Sequence, residues 1–81
     1  MQTKVEFFDE LRELVGTHEW LAEIPQGTSV AMLFEEARKK FPELSGYSQP
    51  VAFMAGLDYV AENHTVREGE TISFLPEQAG R

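Results

Sequence analysis

Ser29-Val30-Ala31-Met32-Leu33-Phe34-Glu35-Glu36-Ala37-Arg38-Lys39-Lys40-Phe41-Pro42 is the stretch on which the fold turns. Val30, Leu33, Phe34, Ala37 and Phe41 recur at helical spacing, while Glu35, Glu36, Arg38, Lys39 and Lys40 fill the other face. Thr28 or Ser29 is suited to cap its start and Pro42 stops it. The basic run in its last turn complements the helix dipole, and a helix C-terminus disfavours the anion that three adjacent bases would otherwise invite. One long amphipathic helix therefore needs a surface to cover.

The flanking segments supply strands. On the N-terminal side, residues 3 to 8 alternate polar and apolar as a half-buried strand does. Asp9 is placed as an N-cap for a short helix in which Leu11, Leu14 and Val15 share a face, and Gly16 ends it. From Thr17 to Ile24, the set Trp20, Ala22, Ile24 alternates with Glu19, Leu21, Glu23, and Pro25-Gln26-Gly27 makes the turn that closes this second strand. The two strands are spaced to pair as antiparallel neighbours.

On the C-terminal side, 43–50 reads as a loop with Leu44 and Tyr47 as anchors onto the core. Val51-Ala52-Phe53-Met54-Ala55 has no polar residue, which predicts a central strand buried on both faces. After a turn at Gly56-Leu57-Asp58 comes a short strand, Tyr59-Val60-Ala61, and 62–66 has the chemistry of a loop or a single helical turn. Arg67-Glu68-Gly69-Glu70 turns the chain into a last strand, Thr71 to Leu75, with Ile72 and Phe74 inward. The order predicts an α+β class, a mixed sheet packed on one main helix. Residues 1–75 form the predicted domain and 76–81 a flexible C-terminal tail.

At 81 residues the chain has material for one core, and 42% hydrophobic content is enough to fold it. A net charge of −7 opposes phosphate backbones, so nucleic acid is not an expected partner, and a basic protein surface is the more natural complement. With no cysteine, disulfides and thiol chemistry are excluded. The absence of an apolar run long enough for a signal or a membrane span predicts a cytoplasmic protein without membrane contact.

Catalytic patterns are sparse. His18 and His64 fall in predicted turns without further ligands at metal spacing, and are expected to be solvent-exposed. Glu10 and Glu13, or Glu35 and Glu36, are carboxylate pairs on solvent-facing helix positions. Neither a Gly-rich phosphate loop nor a nucleophile triad is present. The expectation is a non-catalytic chain with no metal and no cofactor. A sheet covered by one helix leaves its second face open, and Phe8, Leu21, Met54 and Leu75, opposed to the inner residues, are the candidate docking face for a partner. The alternative is that the short helix and the loop around Tyr47 cover that face.

Val5-Glu6-Phe7-Phe8-Asp9-Glu10-Leu11-Arg12-Glu13-Leu14-Val15-Gly16 resembles the opening of the small subunit of molybdopterin synthase. The likeness continues through Ile24-Pro25-Gln26-Gly27-Thr28-Ser29-Val30, Asp58-Tyr59-Val60 and Arg67-Glu68-Gly69-Glu70-Thr71-Ile72, before Phe74-Leu75-Pro76. The resemblance implies a β-grasp, ubiquitin-like fold and a sulfur-carrier role. In that family an ATP-dependent, ubiquitin-activating-like adenylyltransferase activates the C-terminal glycine carboxylate, which becomes a thiocarboxylate, and the large subunit of the synthase uses its sulfur. The tail inserted in the partner would be Pro76, Glu77, Gln78, Ala79, Gly80 and Arg81. The family ends in Gly-Gly, whereas this sequence has Gly80-Arg81, so the implied acceptor is Gly80 after removal of Arg81. Two alternatives follow from that departure and from related carriers. One is a ubiquitin-like binding or regulatory module without carrier chemistry; the other is a carrier for thiamine synthesis, tRNA thiolation or protein modification.

Overall fold

Residues 1–77 are described in a computed structural model of the chain. Alternation yields five strands: β1 (Gln2–Phe7), β2 (Glu19–Glu23), β3 (Val51–Ala55), β4 (Asp58–Val60) and β5 (Thr71–Pro76). Two α-helices join them, α1 (Asp9–Val15) and α2 (Val30–Lys40). The sheet runs β2-β1-β5-β3-β4. β1 is antiparallel to β2 and parallel to β5, while β3 lies antiparallel to both β5 and β4. This is the mixed sheet on one main helix that the element order predicts.

Register explains the core. Trp20, Val5, Ile72 and Ala55 are paired across four strands, and so are Phe7, Phe74, Phe53 and Val60. Both rows face α2, whose Leu33 and Ala37 are fully buried in the same cluster. Five of the six phenylalanines join Trp20 in a continuous aromatic chain, from Trp20 through Phe41, Phe7 and Phe74 to Phe34 and Phe53, with centroids 5.0 to 5.8 Å apart. Edge contacts of this kind add to the area buried.

Several local expectations are corrected. Phe8, not Asp9, occupies the N-cap of α1, without a side-chain cap, and Asp9 adopts a left-handed φ of 54° as the first helical residue. Asp tolerates that region better than a branched residue would. For α2 the cap is Ser29, whose Oγ accepts from the Met32 N–H at 3.2 Å. The segment after Phe41 is a 3-10 helix, Pro42–Gly46, rather than a loop, because Pro is tolerated in a first helical turn. Its Leu44 is buried and Tyr47 packs on the core, as predicted.

β3 is not buried on both faces. All five of its residues are half-buried, since it is one strand from the edge and only its Val51, Phe53 and Ala55 side packs on the core. β5 is the central strand instead, and it extends through Pro76, which is buried and paired with Val51. The Glu77 N–H then donates to the Pro50 carbonyl at 3.0 Å. Strand pairing thus continues into the segment assigned to the tail, while Gln78, Ala79, Gly80 and Arg81 lie outside the described residues. His64 is not freely exposed: Nε2 lies 3.3 Å from both Glu70 carboxylate oxygens, and Glu70 Oε1 also accepts from the Arg67 N–H.

Candidate functional site

Each strand that sends one residue to α2 sends the next to the opposite side. Tyr59, Met54, Ser73, Glu6 and Glu19 form one row across all five strands on that second face. Ala52 and Leu75 pair in a neighbouring row. Beyond the end of β1, Phe8 keeps an extended backbone and its N–H donates to the Phe74 carbonyl, so it continues the alternation onto the same face. The helices do not shield this surface. Leu11 of α1, Leu33 of α2 and Leu44 of the 3-10 helix all belong to the core on the other side. The loop around Tyr47 does not reach over it either: Tyr47 packs on that core and, with Glu10, Glu13 and Leu14, flanks a separate groove. Partial burial, and then the Glu10 carboxylate, raise the Tyr47 phenol above its ordinary 10.0.

The face is divided. Towards β2 it is charged: Lys4 lies 3.0 Å from Glu19 and 3.9 Å from Glu6, and the hydrogen bond that its ammonium donates to Glu19, followed by the charge of that carboxylate, holds the Lys4 amine above its ordinary 10.5. Towards β4 it is apolar, with Phe8 41% and Tyr59 68% exposed beside the half-buried Met54, Ala52 and Leu75. Leu57, at the β3–β4 turn, is almost fully exposed. This apolar half is the part of the open face with the most exposed hydrophobic side chains.

Of the four residues singled out from sequence, the structure brings Phe8, Met54 and Leu75 to the apolar half and sets Leu21 apart. Leu21 is 60% exposed on the same face, but it pairs with Lys4 and lies among charges. Tyr59 was missed. The two-residue turn Gly56-Leu57 between β3 and β4, with Gly56 at φ 64°, sets Met54 opposite Tyr59, and that spacing was readable as a hairpin.

The face ends where β5 does, and Glu77, the next residue, is the last one described. Among the described residues no group of three or more His, Cys, Asp or Glu is placed to hold a metal ion, and no helix is long and apolar enough to cross a membrane.

Comparison with known proteins agrees with this architecture. The ThiS family model matches residues 5–80, a span that includes Gly80. No curated protein matches the chain significantly. Among solved structures, SAMP1 from Haloferax volcanii is similar with a TM-score of 0.86 at 12% identity, all of both chains being covered. A putative molybdopterin converting factor subunit 1 from Pyrococcus furiosus gives 0.84 at 24% identity, covering 94% of this chain and 97% of that one. In a complex of subunits 1 and 2 of the molybdopterin-converting factor from Helicobacter pylori 26695, the similar chain gives 0.68 at 17% identity, again with full coverage of both. At these identities the structures establish a shared β-grasp, ubiquitin-like fold.

Proposed function

The chain belongs to the ThiS family of ubiquitin-like sulfur carriers, and from that premise we propose that it is the sulfur-carrier small subunit of a molybdopterin-synthase-type enzyme, acting in molybdenum cofactor biosynthesis. The observation that carries this reading is the family match through Gly80, joined to a central strand that leads straight to that segment.

In the proposed cycle the chain supplies a carboxylate and no catalytic group. Removal of Arg81 exposes the Gly80 carboxylate. An ATP-dependent, ubiquitin-activating-like adenylyltransferase joins it to AMP with release of pyrophosphate. A sulfur donor then displaces AMP, leaving a thiocarboxylate whose sulfur is delivered to the large subunit. Glycine has no Cβ, so Gly80 offers an unhindered reacting carbonyl in a narrow channel. Since Pro76 and Glu77 are held by the sheet, the segment that enters the partner is 78–80, and Phe8, Met54 and Leu75, with Tyr59 beside them and Leu21 at the margin, dock against it.

Mass spectrometry tests the chemistry. The chain shortened to Gly80, incubated with the adenylyltransferase, ATP and a sulfur donor, is expected to gain the mass of one oxygen-to-sulfur exchange, and the chain bearing Arg81 to gain it only after losing that residue. If neither form is ever adenylated or sulfurated, the carrier reading is lost.

Arg81 following Gly80 favours one second reading, a ubiquitin-like binding module that docks without carrying sulfur. Under it, deletion of residues 79–81 leaves association with the large subunit unchanged; under the carrier reading, that deletion weakens it.

A further inference from the structure

β4 covers only part of β3. Its three residues pair with Phe53, Met54 and Ala55, and the strand stops at Val60. The cause lies at the other end of the molecule's main helix, whose first N–H groups need acceptors from outside it. Ala31 donates to the Glu62 carbonyl and Val30 to the His64 carbonyl, both at 2.9 Å, and Val66 donates back to Thr28. Segment 61–66 is therefore drawn off the sheet edge to serve α2.

Val51 has β5 on one side, through Pro76, and no strand among the described residues on the other, whereas ladder alternation, set by the Glu77 N–H on the Pro50 carbonyl, turns the Ala52 N–H and carbonyl towards Leu75. A cleft of about 500 Å³ stands in the vacant strand's place. Its walls include Val51, Ala52, Val60 and Pro76, and Glu62 and Glu77 also line it, with no Lys or Arg among the described lining residues. Open backbone, apolar walls and two acids form one recognisable combination. Main-chain groups at a sheet edge accept an added strand, and the neighbouring side chains select its sequence.

We propose that this cleft receives an extended segment of a partner protein, added to the sheet edge at Val51 and passing alongside Ala52, with alternating apolar and basic side chains. The apolar residues pack on Val60 and Pro76, and a Lys or Arg meets Glu62 and Glu77. The site is distinct from the apolar face around Met54 and Tyr59, although Tyr59 borders both. Since Glu77 lies at its rim, the added strand grips the protein at the root of the segment proposed to carry sulfur. It needs neither ATP nor an intact carboxyl terminus, so it stands or falls separately from the carrier chemistry.

The test is a two-dimensional amide NMR titration of the full chain with soluble synthetic hexapeptides. A peptide alternating Lys and Val is expected to shift the Val51, Ala52 and Phe53 amides and to slow hydrogen exchange at Val51 several-fold. A Glu-Val peptide should bind at least tenfold more weakly, and a Lys-Val peptide N-methylated on alternate residues should lose binding, because its backbone can no longer pair. Glu62→Lys, an exposed change, should weaken the Lys-Val peptide by about tenfold, a loss that corresponds to ~1.4 kcal/mol, with the unliganded spectrum otherwise preserved. Three results overturn the proposal: equal binding of all three peptides, shifts confined to the β2 edge or the Met54–Tyr59 face, or no binding. Two more reassign the cleft and overturn it equally. Shifts at Val51 and Ala52 that depend on protein concentration without peptide would make the occupant a second copy, and peptide binding seen only after deletion of residues 78–81 would make it the chain's own end.

Discussion

The two faces of the sheet are built from the same strands, one residue out of step, and they have opposite characters. The row Val60, Phe53, Phe74, Phe7 is packed under α2, whereas the row Tyr59, Met54, Ser73, Glu6, Glu19 meets no helix. The first row holds the domain together. The second has hydrophobic residues that pack under no helix, and the two characters alternate within nine paired positions.

Phe74→Ala probes the inner row at its centre, where the ring touches Phe7, Phe34 and Phe53. It should cost about 3–5 kcal/mol in denaturant unfolding, a large share of what a domain of this size has to lose. Met54→Ala on the other face should cost roughly 1 kcal/mol or less. Comparable losses would dissolve the distinction.

Tyr59→Asp reverses the emphasis. Placing a charge in the apolar half is expected to weaken association with a large-subunit partner by at least about tenfold, or ~1.4 kcal/mol, measured by calorimetry, while the melting transition moves little. A variant that unfolds instead would show the exposed row to be structural.

Thr3 sharpens the same contrast from the inner side. It is buried opposite Ala22, and its Oγ1 has no hydrogen-bond partner among the described residues. Thr3→Val should stabilise the fold by about 1 kcal/mol, seen as a higher denaturant midpoint. Destabilisation would mean that the hydroxyl is satisfied in solution.

The smallest effect belongs to the charged half of the open face. Glu19→Gln removes the main cause of the raised Lys4 pKa, so an NMR titration of the amine should fall back towards 10.5. Because the folded value is the higher one, the contribution of this pair is present below about 10.5 and fades as pH rises through the folded value. Stability near neutral pH should hardly change on substitution, as the pair is solvent-exposed and screened.

Much of this division was legible in the chain. Helical spacing in 30–41 identified α2, and alternation in 3–7, 20–24 and 71–75 sorted inner from outer residues before any pairing was known. Phe8, Met54 and Leu75 were placed on the open face by that logic, and Tyr59 was available to it through the Gly56-Leu57 turn. Leu21 was grouped with them because alternation assigns a face without saying which strand lies next to which. The apolar run of β3 misled for the same reason: burial depends on the neighbours, and a strand next to the edge has few.

Sequence alone determined the periodic elements, the acidic, cysteine-free character of the chain and the family likeness that points to Gly80. Those are local or additive properties, set by side-chain chemistry and spacing along the backbone. Only the tertiary structure decided that β1 and β5, at opposite ends of the described chain, run parallel at the sheet's centre. It also decided that β4 ends early and leaves a cleft at the root of the tail. Strand pairing and helix capping join residues far apart in the chain, so their outcome rests on which distant hydrogen-bonding groups meet, and no periodicity records that.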